Sequence, residues 1–188
     1  MKSYLRHLPN LISMVRVLLV VPVVWSLLNG RFSMAIWLFL IAGASDGLDG
    51  FLAKRYGWSS RLGGILDALA DKFLLVSTFV CLWWLGLFPW WLVTAVLARD
   101  LIIVIGAIIY NFRIEAVQPE PSLASKLNTF LQIALAAVGV IQLGFGGVPQ
   151  WLLQTLIWSV MLTILLSGIG YVREWSRRAR VSRSSGSG

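Results

Sequence analysis

Cysteine occurs once in the 188 residues, at Cys81, and histidine once, at His7. The first scarcity excludes a disulfide framework and a cysteine-ligated metal, so Cys81 is expected to be a plain core thiol. Charge is also thin: 13% of residues are Asp, Glu, Lys or Arg, about half the share found in soluble domains. No internal repeat is present, which sets repeat architectures aside. No small-residue cleavage site follows the first apolar run, and Arg16 interrupts that run. The segment is therefore expected to be retained and not removed as a signal peptide.

What fills the sequence is apolar: 58% hydrophobic residues and ten Trp. Several runs reach the roughly 20 residues needed to cross a hydrocarbon core about 30 Å thick. Six spans are expected, at Leu8 to Leu28, Ser33 to Lys54, Arg61 to Gly86, Pro89 to Phe112, Leu123 to Phe145 and Pro149 to Trp175. All should be helical, because lipid offers backbone groups no other partners. The fold class is then an all-α integral membrane protein with six transmembrane helices. A single membrane domain is expected over residues 1–180, with 181–188 a flexible tail whose closing Ser-Ser-Gly-Ser-Gly reads as an appended linker.

The net charge of +8 raises the possibility of nucleic acid, and the distribution of cations decides against it. With six spans, one face holds Lys2, Arg6, Lys54, Arg55, Arg61, Arg113, Lys126, Arg173, Arg177, Arg178, Arg180 and Arg183. The other face holds only Arg31. This is the positive-inside asymmetry, and it places both termini in the cytoplasm. The basic tail then reads as an anchor to anionic headgroups. Trp83, Trp84, Trp90 and Trp91 fall at the opposite ends of the third and fourth spans, as an interfacial belt does.

Against this background the acids stand out. Five of the eight, namely Asp46, Asp49, Asp67, Asp71 and Asp100, fall inside apolar spans, where each costs about 2.5 to 3.5 kcal/mol on insertion scales. Asp46, Asp49, Gly50 and Ala53 share one helical stripe by their i, i+3, i+4, i+7 spacing. Gly63, Asp67 and Asp71 repeat every four residues and form a second stripe. Counted from the loop between these two consecutive spans, Asp49 and Asp67 lie about 8 and 9 Å deep, and Asp46 and Asp71 about 12 and 15 Å. Four carboxylates converging in this way repel one another unless cations sit among them. Hard oxygen donors without His or Cys suit Mg²⁺, Mn²⁺ or Ca²⁺. The bland alternative, simple ion pairing with Lys54, Lys72 or Arg99, does not explain four acids on two stripes. Small residues on the same stripes either allow close helix packing, as accepted for Gly64, or leave room for a bulky ligand beside the ions.

Asp46-x-x-Asp49-Gly50-x-x-Ala53-Lys54, then eight residues, Gly63, three residues, Asp67, three residues and Asp71 resembles the signature of the CDP-alcohol phosphatidyltransferase family. The match departs at Lys54, where the family usually shows Arg; Arg55 follows directly, and a lysine offers a point charge in place of a planar fork. "LPNLISMVR", "ARD" and "SLASKLNTFLQ" resemble segments of the cardiolipin synthases in that family. The resemblance implies CDP-diacylglycerol with its cytidine against Gly50, Ala53 and Gly63 and its diphosphate at the metals, near Asp49, Lys54 and Arg55. It implies two divalent ions, Mg²⁺ or Mn²⁺, one on Asp46, Asp49 and Asp67 and the other on Asp46, Asp67 and Asp71. It gives Asp71 the role of general base. An unperturbed Asp has a pKa of about 3.9 and is a weak base, so positioning and metal-assisted acidification of the alcohol should carry part of the activation. A homodimer in a bacterial inner membrane, with the site facing the cytoplasm, is implied as well.

For the acceptor alcohol, Asn10, Arg16, Arg99, Lys126 and Asn128 are the candidate residues. Arg99 has a second reading, an internal pair with Asp100 or a group on another span. Members of the family that use glycerol-3-phosphate tend to show a second Lys where Asn128 stands, and one fewer cation suits a phosphodiester. Phosphatidylglycerol is therefore the expected acceptor and cardiolipin the product, with phosphatidylglycerophosphate synthesis from glycerol-3-phosphate the alternative. A divalent-cation or proton-coupled transporter also uses intramembrane acids. It would want them spread along depth on interrupted helices, whereas these cluster in one half. A structural scaffold leaves the acids unexplained. The polar 112–123 loop either gates the cleft or merely connects two spans.

Overall fold

The computed structural model describes the backbone of residues 8–56, 61–113 and 123–184, and side chains at 14–45, 70–103, 105 and 123–168. Among the described residues the chain forms six α-helices and no strand. They are α1 (Leu8–Leu28), α2 (Phe32–Tyr56), α3 (Arg61–Trp84), α4 (Trp90–Arg113), α5 (Leu123–Phe145) and α6 (Gln150–Ser184). The six apolar runs thus correspond one to one with the helices. α6 continues to Ser184, into the segment set aside as a tail. The 112–123 loop falls almost wholly outside the described residues.

Two of the connections are built from glycine. At the end of α1, Arg31 N–H donates to the Ser26 carbonyl and Gly30 N–H to the Leu27 carbonyl, with Gly30 at a φ of 70°. This is the Schellman arrangement, in which a left-handed residue lets the chain leave the helix while its last carbonyls stay bonded. The end of α3 repeats it, with Leu87 bonded to Leu82, Gly86 to Trp83, and Gly86 at a φ of 78°. Beyond the first turn, the Arg31 guanidinium lies 4.7 Å from the centre of the Trp25 ring, a cation–π contact that holds the side chain against α1.

Two compact units divide the chain: residues 1–89 with 135–149, and residues 90–134 with 150–188. In the first, α1 packs on both α2 and α3. Its buried core draws on Val23 and Leu27 of α1, Ile36 and Phe39 of α2, Leu74, Leu75, Phe79 and Leu82 of α3, and Leu135 and Val140 of α5. Cys81 is a buried free thiol, as its solitude predicts. A Cβ placed on Gly139 of α5 would lie 2.9 Å from Leu82 Cδ1 and 3.0 Å from Phe88 Cζ. The absent side chain at 139 therefore allows α5 to approach α3. Phe88 in turn packs on Phe79, ring centres 5.3 Å apart.

In the second unit α4 packs on α6, and Trp91 lies against Trp158 with ring centres 5.6 Å apart. Each helical stretch here buries apolar side chains toward one end and polar ones toward the other. α4 runs from Leu92, Val93 and Val96 to Arg99 and Asp100, α6 from Leu153, Ile157 and Val160 to Thr163 and Ser167, and the start of α5 contributes Ser125, Asn128 and Gln132.

The surface is the reverse of a soluble protein's. Leu18, Val21, Trp37, Phe73, Leu101, Ile102, Phe130, Trp151 and Leu162 are all exposed while Arg16 and Arg99 are buried. Among the described residues, Leu123–Phe145 and Gln150–Gly168 are long and apolar enough to cross a membrane, and Met14–Leu28 and Phe32–Ser45 are shorter apolar stretches. Trp83, Trp84 and Trp90 are exposed, which suits anchors and not a binding site.

Candidate functional site

The four aspartates occupy the helices that their spacing requires. Asp46 and Asp49 lie on α2, as do Gly50, Ala53, Lys54 and Arg55; Gly63, Asp67 and Asp71 lie on α3. Both helices are continuous through the motif, so the i, i+3 and i+4 relations hold in the backbone. Asp71 is half-buried, and Lys72 beside it is half-buried too. The side chains of Asp46, Asp49, Gly50, Ala53, Lys54, Arg55, Gly63 and Asp67 lie outside the described residues, and so does that of Asn10 on α1.

Of the acceptor candidates, Arg16 on α1 is 1% exposed and belongs to the first unit. Asn10 also falls in the first unit, whereas Arg99, Lys126 and Asn128 lie in the second. Arg99 donates from Nη1 to Asp100 Oδ1 at 2.7 Å and from Nη2 to Ser125 Oγ at 2.6 Å. The internal pair with Asp100 is therefore present, and α4 is tied to the first turn of α5 through the same guanidinium. Arg99 and Asp100 are each 6% exposed. Arg99 Nε makes no hydrogen bond. Lys126, next to Ser125, is exposed.

Asn128 is fully buried and meets Thr163 of α6, with 2.9 Å between Oδ1 and Thr163 Oγ1. The Thr163 hydroxyl also lies 3.0 Å from the Ser159 carbonyl and 2.9 Å from that of Val160. Asn128 thus joins α5 to α6 as Ser125 joins α5 to α4. Asn128 Nδ2, both amide atoms of Gln132 and Ser167 Oγ are buried without a hydrogen-bond partner among the described residues. Ser125, Thr163, Gln132 and Ser167 were not singled out as site residues from the sequence. The i, i+3, i+7 spacing of Ser125, Asn128 and Gln132 was the signal, a polar stripe on one face of an otherwise apolar helix.

Chemically the second unit offers a buried cation pinned by a carboxylate and a hydroxyl, followed along α5 by neutral amides. Such a set suits an anionic group with a neutral polar extension. The α2–α3 motif offers four carboxylates, a donor set of the hard-cation kind.

Known proteins fit this picture. The family model described as CDP-alcohol phosphatidyltransferase matches residues 6–171. The chain is 33% identical over 183 residues to a rice chloroplast CDP-diacylglycerol–glycerol-3-phosphate 3-phosphatidyltransferase, covering 88% of this chain and 56% of the relative. It is 28% identical over 190 residues to the rat CMP-forming cardiolipin synthase, covering 93% and 63%. It is 32% identical over 171 residues to the Aquifex aeolicus CDP-diacylglycerol–glycerol-3-phosphate 3-phosphatidyltransferase, covering 88% and 93%. The chain thus spans a little over half of the rice protein and somewhat more of the rat one. With the family match running through all six helices, and both halves of the aspartate motif inside it, the chain belongs to the CDP-alcohol phosphatidyltransferase family.

Proposed function

We propose that this protein transfers the phosphatidyl group of CDP-diacylglycerol to the hydroxyl of an anionic alcohol and releases CMP. The observation that carries the reading is the aspartate motif, intact on α2 and α3 within the family match. The acceptor oxygen forms a bond to the phosphorus that bears diacylglycerol, the diphosphate P–O bond breaks, and CMP leaves. Asp71 accepts the hydroxyl proton. Asp46, Asp49, Asp67 and Asp71 would hold two divalent cations, Mg²⁺ or Mn²⁺, which supply charge stabilisation at the phosphoryl oxygens and the leaving group. Gly50, Ala53 and Gly63 leave space for the nucleotide, and Lys54 and Arg55 supply positive charge to its diphosphate.

Phosphatidylglycerol is our preferred acceptor, giving cardiolipin. Support comes from Asn128, a buried neutral residue where family members that use glycerol-3-phosphate tend to show a second Lys; one fewer cation suits a phosphodiester better than a phosphomonoester dianion. Glycerol-3-phosphate is the second reading, favoured by the names of the rice and Aquifex relatives. The exposed apolar belt and the one-sided cations support six membrane spans with both termini and the site on the cytoplasmic side.

The test is purified protein with labelled CDP-diacylglycerol, Mg²⁺ or Mn²⁺, and either alcohol. CMP and cardiolipin with phosphatidylglycerol alone are expected. Phosphatidylglycerophosphate with glycerol-3-phosphate alone would select the second reading, and no CMP with any alcohol would overturn the transferase.

A further inference from the structure

Among the described residues, four partnerless polar atoms of the second unit, Asn128 Nδ2, Gln132 Nε2 and Oε1 and Ser167 Oγ, lie on two stripes. Asn128 and Gln132 sit one turn apart on α5, and Ser167 sits one turn from Thr163 on α6. Asn128 and Gln132 are fully buried and Ser167 is 2% exposed. An apolar side chain of the same shape would pack at such positions at lower cost than a partnerless amide. Thr163 has one hydroxyl proton and three acceptors within 3.0 Å. Whichever it takes, and whichever way the Asn128 amide is turned, at least one polar atom of that amide is left over. Gln132 has both of its own left over.

Charge and spacing identify what would complete them. Arg99, which also pairs with Asp100, and Ser125 form the hydrogen-bond-donating end of the stripe, joined at 2.6 Å. Along α5, Asn128 lies about 4.5 Å beyond Ser125 and Gln132 about 10.5 Å beyond it. Neutral amides both donate and accept, as a hydroxyl does, and they do not neutralise a phosphate. Both candidate acceptors carry the same fragment: a phosphoryl group, then a carbon bearing a secondary hydroxyl, then the primary hydroxyl that attacks. With the phosphoryl group at Arg99 and Ser125, the secondary hydroxyl falls near the level of Asn128, with the longer Gln132 side chain one turn further along α5.

We infer that Asn128 and Gln132 bind the secondary hydroxyl of a glycerol phosphoryl acceptor, with Ser167 adding a donor to the same polar interior. The inference rests on the transferase reading and deepens it. Asn128 and Gln132 are then specificity determinants, selecting glycerol-derived alcohols over simple diol phosphates.

The experiment compares each acceptor with its analogue lacking that hydroxyl: glycerol-3-phosphate with 3-hydroxypropyl phosphate, and phosphatidylglycerol with phosphatidyl-1,3-propanediol. CMP release is measured on the wild type and on Gln132→Leu. The wild type should show a KM about tenfold higher for the preferred acceptor's analogue. Gln132→Leu should raise the KM for the parent acceptor to the analogue's value, leaving KM for CDP-diacylglycerol and the melting temperature unimpaired. The pair that shows this effect identifies the source of the glycerol phosphoryl group. Equal use of parent and analogue by the wild type, or full discrimination kept by Gln132→Leu, would overturn the inference while leaving the transferase standing. Should Gln132→Leu not fold, Gln132→Met, unbranched like glutamine, repeats the test. Failure of both to fold would assign Gln132 to packing and overturn the inference. Absence of CMP with every acceptor would overturn the transferase reading first and this one with it.

Discussion

Arg99 shows how much one side chain can organise in an apolar interior. Its guanidinium reaches Asp100 on its own helix and Ser125 on α5, two directions that a single ammonium serves poorly. Arg99→Lys is therefore expected to keep the charge and lose the geometry. The acceptor KM should rise about tenfold with little change in the KM for CDP-diacylglycerol, read by CMP release at varied acceptor. Asp71→Asn keeps size and polarity but cannot take a proton. It should abolish turnover with only a modest loss of nucleotide binding, and unchanged turnover would remove Asp71 from the mechanism. The neighbours Arg99 and Asp100 were legible as a pair from adjacency alone. Ser125 and Thr163 were not legible as partners, because a hydroxyl in a membrane helix is most often bonded to its own backbone, as Thr78 is to Leu74. Which hydroxyls reach across depends on helix rotation, which hydropathy does not encode.

Helix by helix, the hydrophobic runs predicted α1 and α5 to the residue and the ends of α2, α3 and α4 to within two. Gly30 and Gly86 end their helices by a left-handed turn, a signal visible in the sequence as a glycine just past an apolar run. α6 was underestimated, with the span placed to Trp175 and the helix reaching Ser184. The reason is physical. Hydropathy marks where lipid ends, whereas a stretch such as Arg173 to Arg180 contains good helix formers and neither Gly nor Pro, so nothing stops the helix. Close approach at Gly139 was equally hidden, since only the fold reveals Leu82 and Phe88 in front of it. Gly139→Leu should cost at least about 1 to 3 kcal/mol by overpacking, seen as a lower melting temperature in detergent. Thr163→Val removes the Asn128 partner and should cost about 1 to 3 kcal/mol, with a higher acceptor KM because the amide is no longer held.

For the whole molecule, the distribution of polarity carries the main physical message. Among the described residues many large apolar side chains are exposed while Arg16, Arg99, Asp100, Asn128 and Gln132 are buried, an arrangement suited to apolar surroundings. The helical class was legible in composition, and the family in the spacing of four aspartates. The ion binding proposed for them is open to a direct measurement. Removing divalent cations with EDTA should abolish CMP release, and Mg²⁺ or Mn²⁺ should restore it. Activity that survives EDTA would exclude a metal role for the aspartates.

The length of α6 has a practical consequence. At about 1.5 Å per residue its 35 residues extend over about 52 Å, more than the roughly 40 to 45 Å of a bilayer with its headgroups. On the six-span reading proposed above, the end of α6 would overhang into water, where trypsin can cut, whereas Arg16 and Arg99 are buried. Brief digestion of sealed vesicles should trim the protein from one side only, and inverted vesicles should reveal that side as the cytoplasmic one.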